Sequence, residues 1–274
     1  MKIGKIVVMT DLDGTLLDED MFTCSPIEHS IKDYLEQGLT IILNSSKTED
    51  EIREFCKELG EPFPFICENG AAFHNSNKSV ETNRLLNDYR IFGISIPKIE
   101  EIWVTKITNQ LRNLCKFIDE MPKPNQTEIL GLSGSALDRA MNRKYSRLFI
   151  FNGTASQFIE LNREVIKCKL KITQGGRVMS LSGRHGKSQY HQIIKNQALV
   201  NHEKIIFVGI GDSKNDIEML SVSDIACIIP PKNRLPLNKS SFKNNNFVYE
   251  SKQPAPIGWI EAIDASINFI DEHF

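Results

Sequence analysis

Two aspartates one residue apart, Asp11-Leu12-Asp13-Gly14-Thr15, follow directly on the apolar run Ile6-Val7-Val8-Met9. In an extended chain alternate residues share a face, so both carboxylates project to the same side. Held that close they repel, and they need a cation between them or a proton on one of them. Oxygen ligands of this kind suit Mg²⁺, which commonly takes one or two protein carboxylates together with substrate phosphate. One aspartate can then attack phosphorus while the other handles the leaving group's proton. An EF-hand calcium loop is excluded, because Leu16 stands where that loop requires glycine.

Three further clusters carry related chemistry. In Gly211-Asp212-Ser213-Lys214-Asn215-Asp216, Asp212 can complete a metal site with Asp11, and Asp216, one turn along a helix, can support it. Alone, that segment is an ordinary helix cap, since Asp and Ser are common capping residues. Ser45, Ser46 and Lys47 form a hydroxyl and amide cluster able to hold a phosphoryl oxygen near a helix N-terminus. Gly183-Arg184-His185-Gly186-Lys187-Ser188 looks like the end of a phosphate-binding P-loop, but Leu181 occupies the place of that motif's first glycine, so an NTPase is rejected. Lys187 reads instead as a single cation that neutralises nucleophile and transferring phosphate.

Such groups need elements to position them. The continuous apolar run through Thr10 predicts a strand buried on both faces, with Asp11 at its C-terminal end. Helical spacing of Ile27, Ile31 and Leu35 predicts a helix from Pro26 to Gln37, stopped by Gly38. A second buried strand, Leu39–Leu43, leads into Ser45, and Thr48 with Glu51 forms a capping box for the next helix. Phe63–Cys67 predicts a third strand. This alternation implies a doubly wound, mostly parallel α/β sheet, in which ligands sit beyond the carboxyl ends of the strands. The pattern becomes irregular from 84 to 185, where a long helical stretch over Lys98–Asp119 and short strands at Leu148–Phe151 and Val178–Leu181 are expected. It resumes with a strand at Lys204–Val208, a helix through Leu220 and a strand at Asp224–Ile229. The expectation is a core of residues 1–83 and 186–274 with an inserted α/β cap over 84–185. Trp103 and Trp259 lie in amphipathic helices and read as packing residues.

Composition removes other classes. A formal net charge of -2 offers no basic field for nucleic acid or an anionic membrane. The N-terminal apolar run is too short for a signal peptide or a membrane span. The six cysteines contain no C-x-x-C pair, which argues against a disulfide framework or zinc site and for free thiols in a reducing cytoplasm. Nothing in the sequence signals an oligomeric state.

Taken in order, Asp11-x-Asp13-Gly14-Thr15, Ser45, Lys187 and Gly211-Asp212-x-x-Asn215-Asp216 resemble the four motifs of the haloacid dehalogenase superfamily. That resemblance implies Asp11 as nucleophile, Asp13 as general acid and base, Ser45 on the phosphoryl oxygens, Lys187 as neutralising cation, and Mg²⁺ held by Asp11, Asp13, Asp212 and Asp216. Thr15 matches the phosphatase branch, and the insertion is similar to the caps of the type IIB subfamily. Asn44–Thr48, Cys67-Glu68-Asn69-Gly70-Ala71, Gln174-Gly175-Gly176-Arg177, Pro256-Ile257-Gly258-Trp259 and the stretch Leu132–Ser146 look like the mannosyl-3-phosphoglycerate phosphatases. Members of that group usually continue with Glu-Pro, where this chain has Arg147-Leu148. The implied substrate is a small anionic phosphorylated sugar. Thr15, Ser46, Lys47, Glu68, Asn69, Arg143, Arg177, Arg184, His185 and Asn215 are the residues expected to touch it, and Arg143, Lys144, Arg147, Arg177, Arg184 and His185 concentrate cationic groups near the end of the cap. Arginine can take a carboxylate bidentately, as a phosphoglycerate would require. A phosphatase of another sugar phosphate such as sucrose phosphate, a phosphosugar mutase, and a noncatalytic sugar-phosphate sensor are the alternatives.

Overall fold

The computed structural model describes residues 5–75, 90–175, 177–202 and 204–273. Its strands are β1 (Lys5–Thr10), β2 (Thr40–Asn44), β3 (Phe65–Cys67), β4 (Ala72–His74), β5 (Arg90–Ile91), β6 (Cys115–Phe117), β7 (Ser146–Phe151), β8 (Leu170–Gln174), β9 (Met179–Gly183), β10 (Ile205–Gly211), β11 (Ile225–Ile228) and β12 (Phe247–Glu250). The chain divides into two compact units, one of Met1–Ser45, Cys56–Arg90 and Gly186–Phe274, the other of Ser46–Phe55 and Ile91–His185. The expected boundary at 83/84 lies outside the described residues.

The larger sheet has the order β12-β11-β10-β1-β2-β3-β4-β5. From β12 to β3 every pairing is parallel, and β4 turns back antiparallel on β3. Strands β2 and β11 are buried along their whole length, as a parallel sheet covered on both faces requires. On one face Val7, Met9, Ile42 and Phe207 pack with Tyr190 and Ile194 of helix Gln189–Val200 and with Met219 and Leu220 of helix Ile217–Val222. Helix Ile257–His273 packs on β10, β11 and β12. Strand β1 lies between β10 and β2, so the chain winds to opposite sides of it. The carboxyl end of β1 is therefore a topological switch point, where an open α/β sheet leaves a crevice.

The second unit carries an antiparallel sheet, β6-β7-β9-β8. Ile99 and Trp103 of helix Ile96–Lys106, Leu161 and Val165 of helix Ala155–Lys167, and Phe117, Phe149 and Leu181 of the strands form its core. The helix expected across Lys98–Asp119 is interrupted. It ends at Lys106, resumes over Asn109–Arg112, and gives way to β6 at Cys115. Ile107 and Thr108 take extended dihedrals at the break. Burial of both Ile107 and Leu111 in the core of this unit, and capture of the Thr108 N–H by Glu164 at 3.0 Å, bend the chain there. Arg147, one of the cations concentrated in this stretch of the sequence, is neutralised within the second unit. It is 7% exposed, bonded to Asp119 at 2.8 and 2.7 Å and Glu120 at 2.8 Å, paired with Glu100 at 3.2 Å, and stacked on Phe117. Its charge is consumed in holding β7 to its neighbours.

Candidate active site

Three of the expected motifs meet at the carboxyl ends of β1 and β10. Asp11 is the first residue beyond β1, and its N–H donates to the Ile210 carbonyl at 3.0 Å, which extends the β1–β10 ladder by one bond. The chain then turns through Gly14 at φ +75°, and the Thr15 hydroxyl donates to Asp212 Oδ1 at 3.0 Å. Asp13 stands in this turn, half-buried and bridged to Leu17. Asp212 follows β10 directly, and Asp216 comes one short 3-10 turn later, where its Oδ2 receives the N–H groups of Asp212 at 3.2 Å and Ser213 at 3.0 Å.

Lys187 Nζ donates to Asp11 Oδ1 at 2.6 Å and to Asp216 Oδ1 at 2.7 Å, and the side chain is 1% exposed. The Asn44 amide, at the end of β2, fixes the lysine's backbone by donating to the Lys187 carbonyl at 2.8 Å. Ser45 N–H bonds the Ile66 carbonyl at 3.0 Å, and the Ser45 carbonyl accepts from Asn69 N–H at 2.9 Å. The Asn69 side chain in turn accepts from Asn215 Nδ2 at 3.3 Å. Thus Ser45, Asn69 and Asn215, far apart in sequence, share one hydrogen-bonded row. Glu68, Asn69 and Gly70 all lie at positive φ, 46°, 59° and 100°. Two consecutive non-glycine residues in that region store strain, which proteins concentrate at functional loops. Gly70 is required there twice over, because a Cβ would also sit 2.2 Å from the Gly186 carbonyl oxygen.

The electrostatics favour added positive charge. Burial holds the Asp11 carboxyl well above the ordinary carboxylate range; Lys187 opposes this, and the charges of Asp216 and Asp212 add to it. Asp212 is pushed up to about 7, chiefly by burial and then by Asp216, against Arg234 and the Thr15 hydroxyl. The Lys187 ammonium is held above the usual lysine range by Asp11 and Asp216 although burial opposes its charge. Among the described residues, Asp11, Asp212 and Asp216 form a group whose candidate ligand oxygens all lie within 4.8 Å of one another. This all-oxygen, net-anionic and buried donor set fits a hard divalent cation.

The second unit holds the remaining expected residues. Arg143 donates to the Ser46 carbonyl and to Ser146 Oγ, both at 2.8 Å. Lys47 pairs with Glu51 at 3.7 Å, Arg177 donates to the Leu130 carbonyl at 2.6 Å, Arg184 is exposed and His185 is buried. Asn44, named in the sequence only as part of the stretch Asn44–Thr48, was given no role there; its signal is an amide at the end of an otherwise apolar strand. Sequence reasoning passed over Arg234, which pairs with Asp212 and with Glu19 at 3.8 Å. Beside it Lys232 bridges Asp18 at 2.9 Å and Asp20 at 2.8 Å, tying its loop to the segment after the first motif.

Residues 8–95 match the haloacid dehalogenase-like hydrolase family. The chain is 30% identical over 280 residues to the glucosyl-3-phosphoglycerate/mannosyl-3-phosphoglycerate phosphatase of Persephonella marina, an alignment covering 97% of this chain and 98% of that one. Its fold is similar to a HAD/COF-like hydrolase from Plasmodium vivax, with a TM-score of 0.65, 17% identity and 98% coverage of both chains. It is also similar to a haloacid dehalogenase-like hydrolase from Bacteroides thetaiotaomicron, with a TM-score of 0.61, 15% identity, and coverage of 98% of this chain and 100% of the other. With a near-full-length relative at that identity, the chain belongs to the haloacid dehalogenase-like hydrolases and is one of the family's phosphatases.

Proposed function

We propose that the protein hydrolyses the phosphomonoester of a glycosyl-3-phosphoglycerate, mannosyl or glucosyl, through an aspartyl phosphate on Asp11 and with Mg²⁺ as cofactor. The observation that carries the mechanism is the placement of Asp11 at the switch point, bonded to a fully buried Lys187 and grouped with Asp212 and Asp216. The substrate class rests on the full-length likeness to the Persephonella marina enzyme.

Asp11 attacks phosphorus, the bond to the bridging oxygen breaks, and Asp13 supplies the proton that the departing alkoxide needs. Asp13 then takes a proton from water as that water attacks the aspartyl phosphate, which releases phosphate and restores Asp11. Lys187 offsets charge on Asp11 throughout, at a buried position where a fixed cation acts strongly. Ser45 and the Asn69–Asn215 row offer donors for phosphoryl oxygens. Asp11, Asp212, Asp216 and the turn at Asp13 would hold Mg²⁺, whose charge would screen the carboxylates from an anionic substrate. The proposed cap, 84–185, selects the substrate.

The test is phosphate release from a panel containing mannosyl- and glucosyl-3-phosphoglycerate, sucrose phosphate and other sugar phosphates, with Mg²⁺ or with chelator, for wild type and Asp11→Asn. Turnover of either glycosyl phosphoglycerate that needs Mg²⁺ and disappears in the variant is expected. Turnover confined to other sugar phosphates would retain the mechanism and discard the substrate; turnover by Asp11→Asn would discard the nucleophile.

A further inference from the structure

The nucleophile is held from behind by a chain of hydrogen bonds. Strand β1 ends at Thr10, so the Asp11 carbonyl lies beyond the regular ladder. The Thr10 hydroxyl donates to that carbonyl at 2.8 Å. The same hydroxyl oxygen accepts the indole N–H of Trp259 at 3.0 Å, and both residues are fully buried. Tryptophan offers a donor and no acceptor, so its N–H occupies a lone pair of the Thr10 oxygen. A hydroxyl whose oxygen already accepts from one side is left to aim its own proton elsewhere, and here that is the Asp11 carbonyl. The indole cannot swing away: Tyr34 meets it edge-on at 6.0 Å, and the Tyr34 hydroxyl is anchored on Asp264 at 2.6 Å. Asp264 and Trp259 both belong to helix Ile257–His273, so one helix supplies the donor and its brace.

We propose that Trp259 is a positioning residue for the reaction, orienting the Thr10 hydroxyl onto the Asp11 carbonyl and so setting the peptide plane from which the nucleophilic carboxylate projects. This rests on Asp11 being the nucleophile. Together with the Asp11 N–H bond to Ile210, the relay fixes both polar groups of the Asp11 backbone. Misplacing a reacting group by as little as about 1 Å can cost on the order of a hundredfold in rate, so a loosened peptide should act on turnover more than on substrate binding.

The experiment compares Trp259→Phe, Thr10→Val, their combination, and Thr10→Ser, using p-nitrophenyl phosphate with Mg²⁺. Trp259→Phe and Thr10→Val should each lower kcat about tenfold with KM changed less than about twofold. The double variant should be no slower than the worse single one, and Thr10→Ser should retain kcat. Losses that multiply in the double variant, or an unchanged kcat in Trp259→Phe, would overturn the proposal. If Trp259→Phe fails to fold, the contrast between Thr10→Ser and Thr10→Val decides alone. A structural readout separates this idea from the nucleophile assignment. The chain has 2 tryptophans and hence two indole N–H resonances, and Thr10→Val should shift that of Trp259 and leave that of Trp103. An unmoved Trp259 resonance refutes the relay even if Asp11→Asn is inactive, whereas a moved one with an active Asp11→Asn refutes the nucleophile.

Discussion

A lysine fully buried between two carboxylates is costly to desolvate, and Lys187 is tolerable because Asp11 and Asp216 both accept from it. Removing one partner of a buried ion pair leaves the others unpaired and costs about 3–5 kcal/mol. Lys187→Met is therefore expected to abolish turnover and to lower the unfolding free energy by an amount in that range, read by urea denaturation. Adding Asp216→Asn should recover part of the stability and none of the activity; recovery of activity would show that the lysine serves packing alone. Arg234 makes the opposite case. Its guanidinium sits on Asp212 while nearly half the side chain is exposed, so it would compete with the proposed Mg²⁺ for that carboxylate. Arg234→Gln should tighten Mg²⁺ binding severalfold in a calorimetric titration, and a weakened affinity would contradict the competition. The pairing of Asp11 with Lys187 was legible because its signals are local: a strand end and a glycine-flanked cation. Arg234 was not, since Pro230-Pro231-Lys232-Asn233-Arg234 reads as any polar loop. Trp259 shows a subtler gap. Hydrophobic periodicity identified its apolar ring correctly as packing and is silent about the indole N–H.

Elements show where local signals suffice and where tertiary packing overrides them. The capping box foreseen at Thr48 and Glu51 is formed, with bonds of 2.8 and 3.2 Å, because both partners lie within one turn. The break at Ile107 depends on Glu164 and on the core of the second unit, which no window over Lys98–Asp119 contains. Helix Gln189–Val200 carries a similar long-range dependence in His191. The Ser223 hydroxyl donates to the Met219 carbonyl at 2.9 Å, so its oxygen receives the His191 Nε2–H at 3.1 Å, which assigns the proton to Nε2. Nδ1 is buried and has no hydrogen-bond partner among the described residues, and burial, then the charge of Lys195, pushes the imidazole down from 6.5 to about 3. A folded-state value below the unfolded one means that only the unfolded chain takes up this proton between pH 6.5 and 3. The stabilisation is complete above about pH 6.5 and is lost as pH falls toward 3. Urea unfolding from pH 7 to 4 should thus show a steeper fall in stability for wild type than for His191→Gln. Parallel slopes would mean that His191 is protonated in the fold at modest cost.

At the scale of the whole molecule, the two units differ in what they ask of solvent ions. The core of Ile99, Trp103, Phe117 and Phe149 is apolar, whereas the unit containing β1 buries three carboxylates together. Like charges gathered in a low-dielectric site oppose folding unless a cation binds the native form. A ligand that binds only the native state adds RT ln(1 + [L]/Kd), about 2.7 kcal/mol at a hundredfold excess over Kd. Mg²⁺ should accordingly raise the melting temperature, and the rise should belong to the unit that holds the acids. The tryptophans are placed to report this, since Trp103 lies in one core and Trp259 in the other. In Trp103→Phe the remaining fluorescence follows Trp259, and its transition is expected to move upward by several degrees with Mg²⁺. KCl at equal ionic strength should leave the transition in place, because screening acts weakly on buried charges. Asp212→Asn, which keeps the shape and removes one carboxylate charge, should shrink the Mg²⁺ shift while raising the metal-free melting temperature. An equal shift in KCl, or in Asp212→Asn, would assign the stabilisation to surface electrostatics and detach the acidic cluster from metal binding, even where Mg²⁺ proves necessary for turnover.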